Sequence, residues 1–238
     1  MGKAFGTGAV ALAYMARQEY QSRLQGLRDD VLYMSELVAE QLRKGLDALE
    51  EKDEGLAQHV IESDGEINRL YLELEQDCID LIALQQPVAG DLRFIASSFK
   101  IITDLERIGD LATNLGGYTL QAERDAYPEV DIRQIGDATL EMLDRAMDAY
   151  AEEETELCYA IAERDDEVDE MCETASQTVM RALFEADPFA DEVEVDETFQ
   201  DVSRLLLTIR DLERVGDHAV NIAARALYMV EQDDELLY

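Results

Sequence analysis

Asp104-Leu105-Glu106-Arg107-Ile108-Gly109-Asp110, with Asn114 four residues on, is written a second time as Asp211-Leu212-Glu213-Arg214-Val215-Gly216-Asp217, with Asn221 four residues on. The two copies differ only by an Ile/Val exchange. Both lie in long proline-free stretches of helix-favouring residues. A helix brings positions i and i+4 onto one face, so Glu106 and Asp110 form a pair of neighbouring carboxylates, as do Glu213 and Asp217. With 55 Asp and Glu residues in the chain, chance supplies about a dozen such pairs. Their surroundings set these two apart. The face of Glu106 also carries Ile95, Phe99 and Ile102; that of Glu213 carries Val202, Leu206 and Ile209. Carboxylates set into an apolar stripe repel each other and are costly to desolvate unless a proton, an arginine or a metal ion compensates.

Moving outward, the repeat extends well beyond the motif. Asp64 and Asp165, Glu66 and Glu167, and Pro87 and Pro188 are each 101 residues apart, whereas the motifs are 107 apart. One insertion of six between Ala190 and Asp211 reconciles the two spacings. Each copy reads as three helices with apolar seams at alternating spacings of three and four. In the first copy the seams are Leu24, Leu27, Val31, Met34, Val38, Leu42, Gly45 and Leu49, then Leu56, Val60, Ile67, Leu70, Leu74, Cys78 and Leu81. In the second they are Ile132, Ile135, Thr139, Met142, Ala146 and Tyr150, then Ile161, Val168, Cys172, Ala175, Val179 and Leu183. An acidic cluster at Asp53, Pro87 with Gly90, and residues 125–128 read as breaks. Residues 191–197 read as an acidic connection. The expected fold is therefore all-α, a tandem repeat of two three-helix bundles with pseudo-twofold symmetry. Residues 20–125 form one repeat and 126–238 the other. Residues 1–19 are set aside as an N-terminal extension outside the fold, with Met15 a serviceable start.

The repeat singles out a further carboxylate. Asp64 lies on a seam between Val60 and Ile67, and Asp165 between Ile161 and Val168. Each repeat can thus offer three carboxylates from two helices, with an amide from Asn114 or Asn221. Such clusters of hard oxygen donors suit Fe, Mn, Mg, Ca or Zn. Inter-helix hydrogen bonding and a simple solvated face are the competing readings. Arg107 and Arg214 are expected to be taken by Asp104 and Asp211 in i,i+3 ion pairs, leaving the i,i+4 carboxylates in want of a cation. Mid-helix Gly109 and Gly216 point to a close crossing or an approach to a bound ion. A di-iron Glu-x-x-His arrangement is not present: His59 and His218 are the only histidines, and neither follows a glutamate by three. No nucleophile elbow, Walker loop or dinucleotide fingerprint occurs, so the chain is not expected to be an enzyme.

Composition bounds the rest. The formal charge is −35 with 47% hydrophobic residues, a solvated acidic surface over a real core that suits the concentrated salt of a halophile's cytoplasm. It argues against nucleic-acid binding. Cys78, Cys158 and Cys172 fall inside helical patterns without a Cys-x-x-Cys and read as small buried hydrophobes. No apolar run is long enough to span a bilayer.

The doubled Asp-Leu-Glu-Arg-Ile/Val-Gly-Asp phrase, the tandem three-helix units, and Pro87-x-x-x-Asp91-Leu92-Arg93 before the first motif resemble the phosphate uptake regulator family, PhoU, over residues 20–232. The acidic composition is that of a haloarchaeal member. The resemblance implies a pseudo-symmetric all-α protein whose E(D)xxxD motifs, here Glu106 to Asp110 and Glu213 to Asp217, can bind a multinuclear cluster of iron or zinc. It implies an accessory regulator of phosphate uptake at the cytoplasmic side of the phosphate-specific ABC transporter, with a sensor kinase in bacteria. A homodimer is a further expectation. The second repeat departs from the pattern after Pro188, where an acidic insertion replaces Asp-Leu-Arg. The alternatives are a carboxylate-bridged metal enzyme or metal store, and an accessory protein of another phosphate carrier.

Overall fold

A left-handed residue closes the first helix of each repeat at the same place. Lys52 has φ 55° and Glu153 has φ 60°, and the two are 101 residues apart. In the first repeat Asp53 then caps the next helix, its Oδ1 accepting from the Leu56 N–H at 2.9 Å, so the acidic cluster acts as a helix start as much as a helix stop. The computed structural model describes residues 5–84, 87–122, 130–185 and 192–237. Among these, six long helices follow one another: α1 (Phe5–Glu51), α2 (Glu54–Leu84), α3 (Ala89–Leu120), α4 (Ile132–Glu152), α5 (Thr155–Glu185) and α6 (Glu192–Glu231). A short 3-10 turn, Glu235–Leu237, ends them. The described residues contain no strand, and no helix is long and apolar enough to cross a membrane.

The seams read from the sequence supply most of the core, though Leu49, Leu56, Leu70, Ile132 and Leu183 are only half-buried. Val31, Met34, Val38, Leu42, Val60, Cys78, Met142, Ala146, Tyr150, Ile161, Val168 and Val179 are all buried. All three cysteines are buried and free. Helices α2 and α5 lie on the outside of their repeats, while α3 and α6 pack on each other and α1 reaches α4. The hydrogen bonds from Asn114 to Asp211 and from Asn221 to Asp104 require α3 and α6 to run antiparallel. At one end of this seam Arg28 of α1 lies over Phe94, 5.1 Å from the ring centroid, and over Tyr150 at 5.8 Å. It also donates to the Ala151 carbonyl and to Glu153. Further along, Arg133 of α4 donates to Asp47 and Glu50 of α1 at 2.6 and 3.0 Å. Arg28 and Arg133 thus tie the first helices of the two repeats to each other, alongside the packing of α3 on α6.

Two features differ from the sequence reading. Residues 5–19, set aside as an extension, continue α1; the stretch lacks proline and is rich in alanine, the best helix former. The acidic stretch read as a connection is helical from Glu192, because carboxylates are favourable in a helix's first turns. Four of the six inserted residues lengthen α6, which begins 19 residues before Asp211 where α3 begins 15 before Asp104. The expected breaks at residues 125–128, at Pro188 and at Asp191 lie outside the described residues.

Candidate metal centres

Each repeat places an aspartate of its second helix against the motif of its third, but the two results are unequal. In the first repeat, Asp64 of α2 is already provided with donors: Asn68 at 2.6 Å and Thr113 at 3.3 Å. Glu106 is mostly covered, at 18% side-chain exposure, whereas Asp110 at 43% stands at the open edge. Arg107 reaches both, 3.5 Å from Glu106 and 3.3 Å from Asp110. Burial first, then the Asp110 carboxylate, raises the pKa of Asp64 and of Glu106, and Arg107 works in the opposite sense on Glu106.

In the second repeat no asparagine or arginine among the described residues serves the carboxylates; Asp169 and Asp217 are exposed to solvent, while Asp165 and Glu213 are half-buried. Residue 169 of α5 is an aspartate where the first repeat has Asn68 at the 101-residue spacing, so four carboxylates gather: Asp165, Asp169, Glu213 and Asp217. Among the described residues no basic side chain lies within ion-pair distance of any of them. The Asp165 Oδ1 atom is buried with no hydrogen-bond partner. Burial, then Asp169 and Asp217, pushes the Asp165 carboxyl up to about 6. Glu213 and Asp169 are raised for the same reasons, burial first. Beside this cluster, burial holds the Cys172 thiol up at about 12, inert.

The two motif glycines follow the same division. A Cβ at Gly109 would meet Ile67 and Gln41 at 3.4–3.5 Å, ordinary contact; one at Gly216 would come within 3.0 Å of Asp165 Oδ1. Gly216 thus makes room for a carboxylate and Gly109 for a helix crossing. Removing a mid-helix glycine gains up to about 1 kcal/mol where there is space. Gly109→Ala is therefore expected to leave stability equal or slightly higher, and Gly216→Ala to lower it. Denaturant midpoints in concentrated salt check this opposition of sign.

The expected Asp104–Arg107 ion pair is not made. Asp104 faces α6, where His218 Nδ1 lies 2.8 Å away and Asn221 3.5 Å. Arg107 turns instead to the carboxylates of its own exposed edge. In the second copy Arg214 comes only to 4.0 Å of Asp211. Fully buried Asp211 accepts from Tyr118 at 2.8 Å, Asn114 at 3.0 Å and Arg210 at 3.0 Å. Burial and the bond to Asp211 raise the Tyr118 hydroxyl to about 12. Asn114 and Asn221 therefore do not join the carboxylates of their own repeat. With Asp104 and Asp211 they form two cross-repeat clamps, one on either side of the pseudo-twofold axis.

As they stand, no three His, Cys, Asp or Glu side chains among the described residues form a ready-made ligand set. The donors of the second repeat nonetheless fit a hard divalent cation: four oxygen-bearing acids, one orphaned buried oxygen, and a glycine that leaves it space. Those of the first fit less well, being served by Asn68, Thr113 and Arg107. Asp169, Tyr118, Arg210 and the role of His218 were not singled out from the sequence. Asp169 carried a signal, since it stands four residues after Asp165, the motif's own acidic spacing.

The raised carboxyl of Asp165 gives a pH prediction for metal-free protein. Its folded pKa lies above the unfolded value, so the folded state binds more protons between about 6 and the ordinary aspartate range. Stability then falls as pH rises through that window and is greater at pH 5 than at pH 7. A thermal melt series after chelation is the check; a cation should reverse the trend by stabilising the ionised form.

Fold and site together define a tandem-repeat helical bundle with paired acidic motifs on its two central helices. The PhoU domain family model matches twice, at residues 31–119 and 132–226. The phosphate-specific transport system accessory protein PhoU homolog of Pseudomonas aeruginosa is 34% identical, covering 94% of this chain and 90% of the relative. The corresponding Escherichia coli K12 protein is 29% identical over 91% of this chain and 87% of its own length. A crystal structure of PhoU from Pseudomonas aeruginosa superposes with a TM-score of 0.83 at 33% identity, covering 90% of this chain and all of that one. The phosphate transport system regulatory protein PhoU from Streptococcus pneumoniae gives 0.82 at 27% identity, covering 90% and 98%. The chain belongs to the PhoU family.

Proposed function

We propose that this protein is an accessory regulator of phosphate-specific transport, acting as a non-enzymatic partner at the cytoplasmic side of a phosphate ABC transporter. The family match over both repeats carries this reading, because relatives named as accessory proteins of that system align along nearly the whole chain. The antiparallel α3–α6 pair supports it as a rigid frame that holds the acidic motifs of the two repeats in fixed relation. Copurification of the tagged protein with transporter subunits, in amounts that change between phosphate-limited and phosphate-replete cells, tests it. Recovery of no transporter subunit under either condition would remove the reading.

The second repeat would hold a metal ion or a small cluster, iron or zinc, through Asp165, Asp169, Glu213 and Asp217. A divalent cation there offsets two of the four like charges and ties α5 to α6. The first repeat, with Asp64, Glu106 and Asp110, is the weaker site, since Arg107 and Asn68 already supply much of the compensation. The regulatory consequence is a stiffened second repeat when metal is present. Hydrogen exchange of α5 and α6 with and without added zinc reports it directly, and equal exchange in both conditions would count against it.

A further inference from the structure

The apolar stripe that carries each acidic motif does not stop where its cover does. In α3 it runs back from Ile102 and Ile95, both fully buried, to Leu92 and to Val88 at the helix N-cap. In α6 it runs back from buried Ile209 and Val202 to Phe199 and Val195. Those outermost positions are exposed: Val88 52% and Leu92 43% in the first repeat, Val195 38% and Phe199 53% in the second. Val88 and Val195 are 107 residues apart, as are Leu92 and Phe199, the spacing of the motifs themselves. The preceding helix adds one more matched residue. Ile79 of α2 is 49% exposed and Met180 of α5 39%, and they are 101 residues apart. Single exposed apolar residues are ordinary, but three that recur at the repeat's own spacings are one surface written twice.

A missing neighbour does not account for the exposure. In the first repeat the early turns of α1 reach the start of α3, with Gln21 and Leu24 beside Gly90 and Phe94, and Val88 and Leu92 stay exposed. α4 begins at Ile132, which corresponds to Val31, so the second repeat has no counterpart of those turns among the described residues. The same three positions are exposed in both cases. Because α3 and α6 are antiparallel, the two surfaces lie at opposite ends of the α3–α6 seam, related by the pseudo-twofold axis. Both are rimmed with acid. Residues 75–96 hold Glu75, Asp77, Asp80 and Asp91 against Arg93, and residues 176–203 hold eight acids against Arg181.

We propose that each surface is a docking site for a basic amphipathic helix, and that the two together seat one partner protein that presents the same helix twice. Two antiparallel helices leave a groove that takes the apolar face of a third, the packing that already builds each repeat. Ile79, Val88 and Leu92 at one end, and Met180, Val195 and Phe199 at the other, supply the apolar contact. Lysines or arginines flanking the incoming helix meet the acidic rim, which selects against an acidic partner, a second copy of this chain included. Equal elements at the two ends of a pseudo-twofold chain come from two like subunits of the partner. One chain then spans both subunits. The inference rests on the accessory-protein reading only for which protein supplies the helices; the surfaces themselves do not depend on it.

Calorimetric titration of the full chain in concentrated KCl tests this, with a synthetic lysine-rich helical peptide carrying leucine at every third or fourth position. Two equal sites per chain are expected. Ile79→Asp with Leu92→Asp should remove one, Met180→Asp with Phe199→Asp the other, and all four substitutions both. Helical circular dichroism should not change, because all four side chains are exposed. The peptide with serine in place of leucine should not bind, since concentrated salt screens charge alone. With glutamate in place of lysine it should bind about tenfold more weakly. The proposal is overturned by one site or none, by sites that survive the substitutions, or by equal binding of either control peptide. It is overturned too by a two-chain mass that falls to one chain on substitution, which makes a second copy the occupant. Transporter subunits recovered equally well with the fourfold variant would overturn it and leave the accessory role intact. Two peptide sites with no transporter recovered would support it and remove that role.

Discussion

Replacing Asp165 and Asp169 together by asparagine is expected to remove most of the bound metal, while Glu106→Gln with Asp110→Asn removes well under half. Two similar sites, as the doubled motif suggests, would lose equal shares. The structure makes them unequal: Asp165 has a buried oxygen without a partner, whereas Asp64 is bonded by Asn68 and Thr113. Arg107 compensates the first pair, and among the described residues no arginine compensates the second. Asparagine keeps the shape of aspartate and removes the charge a hard cation needs, so the folded bundle should persist. Elemental analysis of protein purified without chelator decides the matter. Equal losses from the two double variants would return the reading to equivalent sites, and no loss from either would end it.

Asp211→Ala is expected to cost about 3–5 kcal/mol of stability, the range seen when one member of a buried charged network is deleted. It is the largest single-residue effect foreseen. Asp211 is fully buried and receives donors from Tyr118, Asn114 and Arg210. Its loss would strand Tyr118 and Asn114 at the α3–α6 crossing, and a stranded buried donor carries its whole desolvation cost. Asp104→Ala, at the matching position, should cost clearly less, because Asp104 keeps 17% exposure and its Asn221 contact is long, at 3.5 Å. Tyr118→Phe removes one donor and should cost about 1 kcal/mol. Denaturant titrations of the three variants in concentrated salt check the order. A penalty for Asp104→Ala equal to that for Asp211→Ala would show that burial at the crossing does not set the cost.

Much of the fold was legible because it rests on periodicity. Seam residues such as Val38, Cys78, Tyr150 and Val168 are buried where a 3.6-residue repeat puts them, and the left-handed residues at 52 and 153 obey the repeat to the residue. The acidic pairs were legible because four-residue spacing is a local property of a helix. Glu106 is set into the apolar surface as expected, but Asp110 and Asp217 stand nearer the edge than their stripes implied. The lapses concern partners. Arg107 has acceptors on both sides at helical spacing, Asp104 in one direction and Asp110 in the other, and sequence spacing does not choose between them. The choice follows from α6, whose His218 and Asn221 occupy Asp104.

By itself, then, the sequence determined six helices in two copies, the apolar seams, and which helical turns carry the acids, since each of these depends on residues within a turn or two of one another. Only the tertiary structure decided what those acids meet. Antiparallel packing of α3 on α6 turns Asp104 and Asp211 into cross-repeat clamps, and the docking of α2 and α5 gives one site an asparagine and the other a fourth carboxylate. A buried charge takes its partner from whichever helix is packed against it, and that neighbour is often a hundred residues away along the chain.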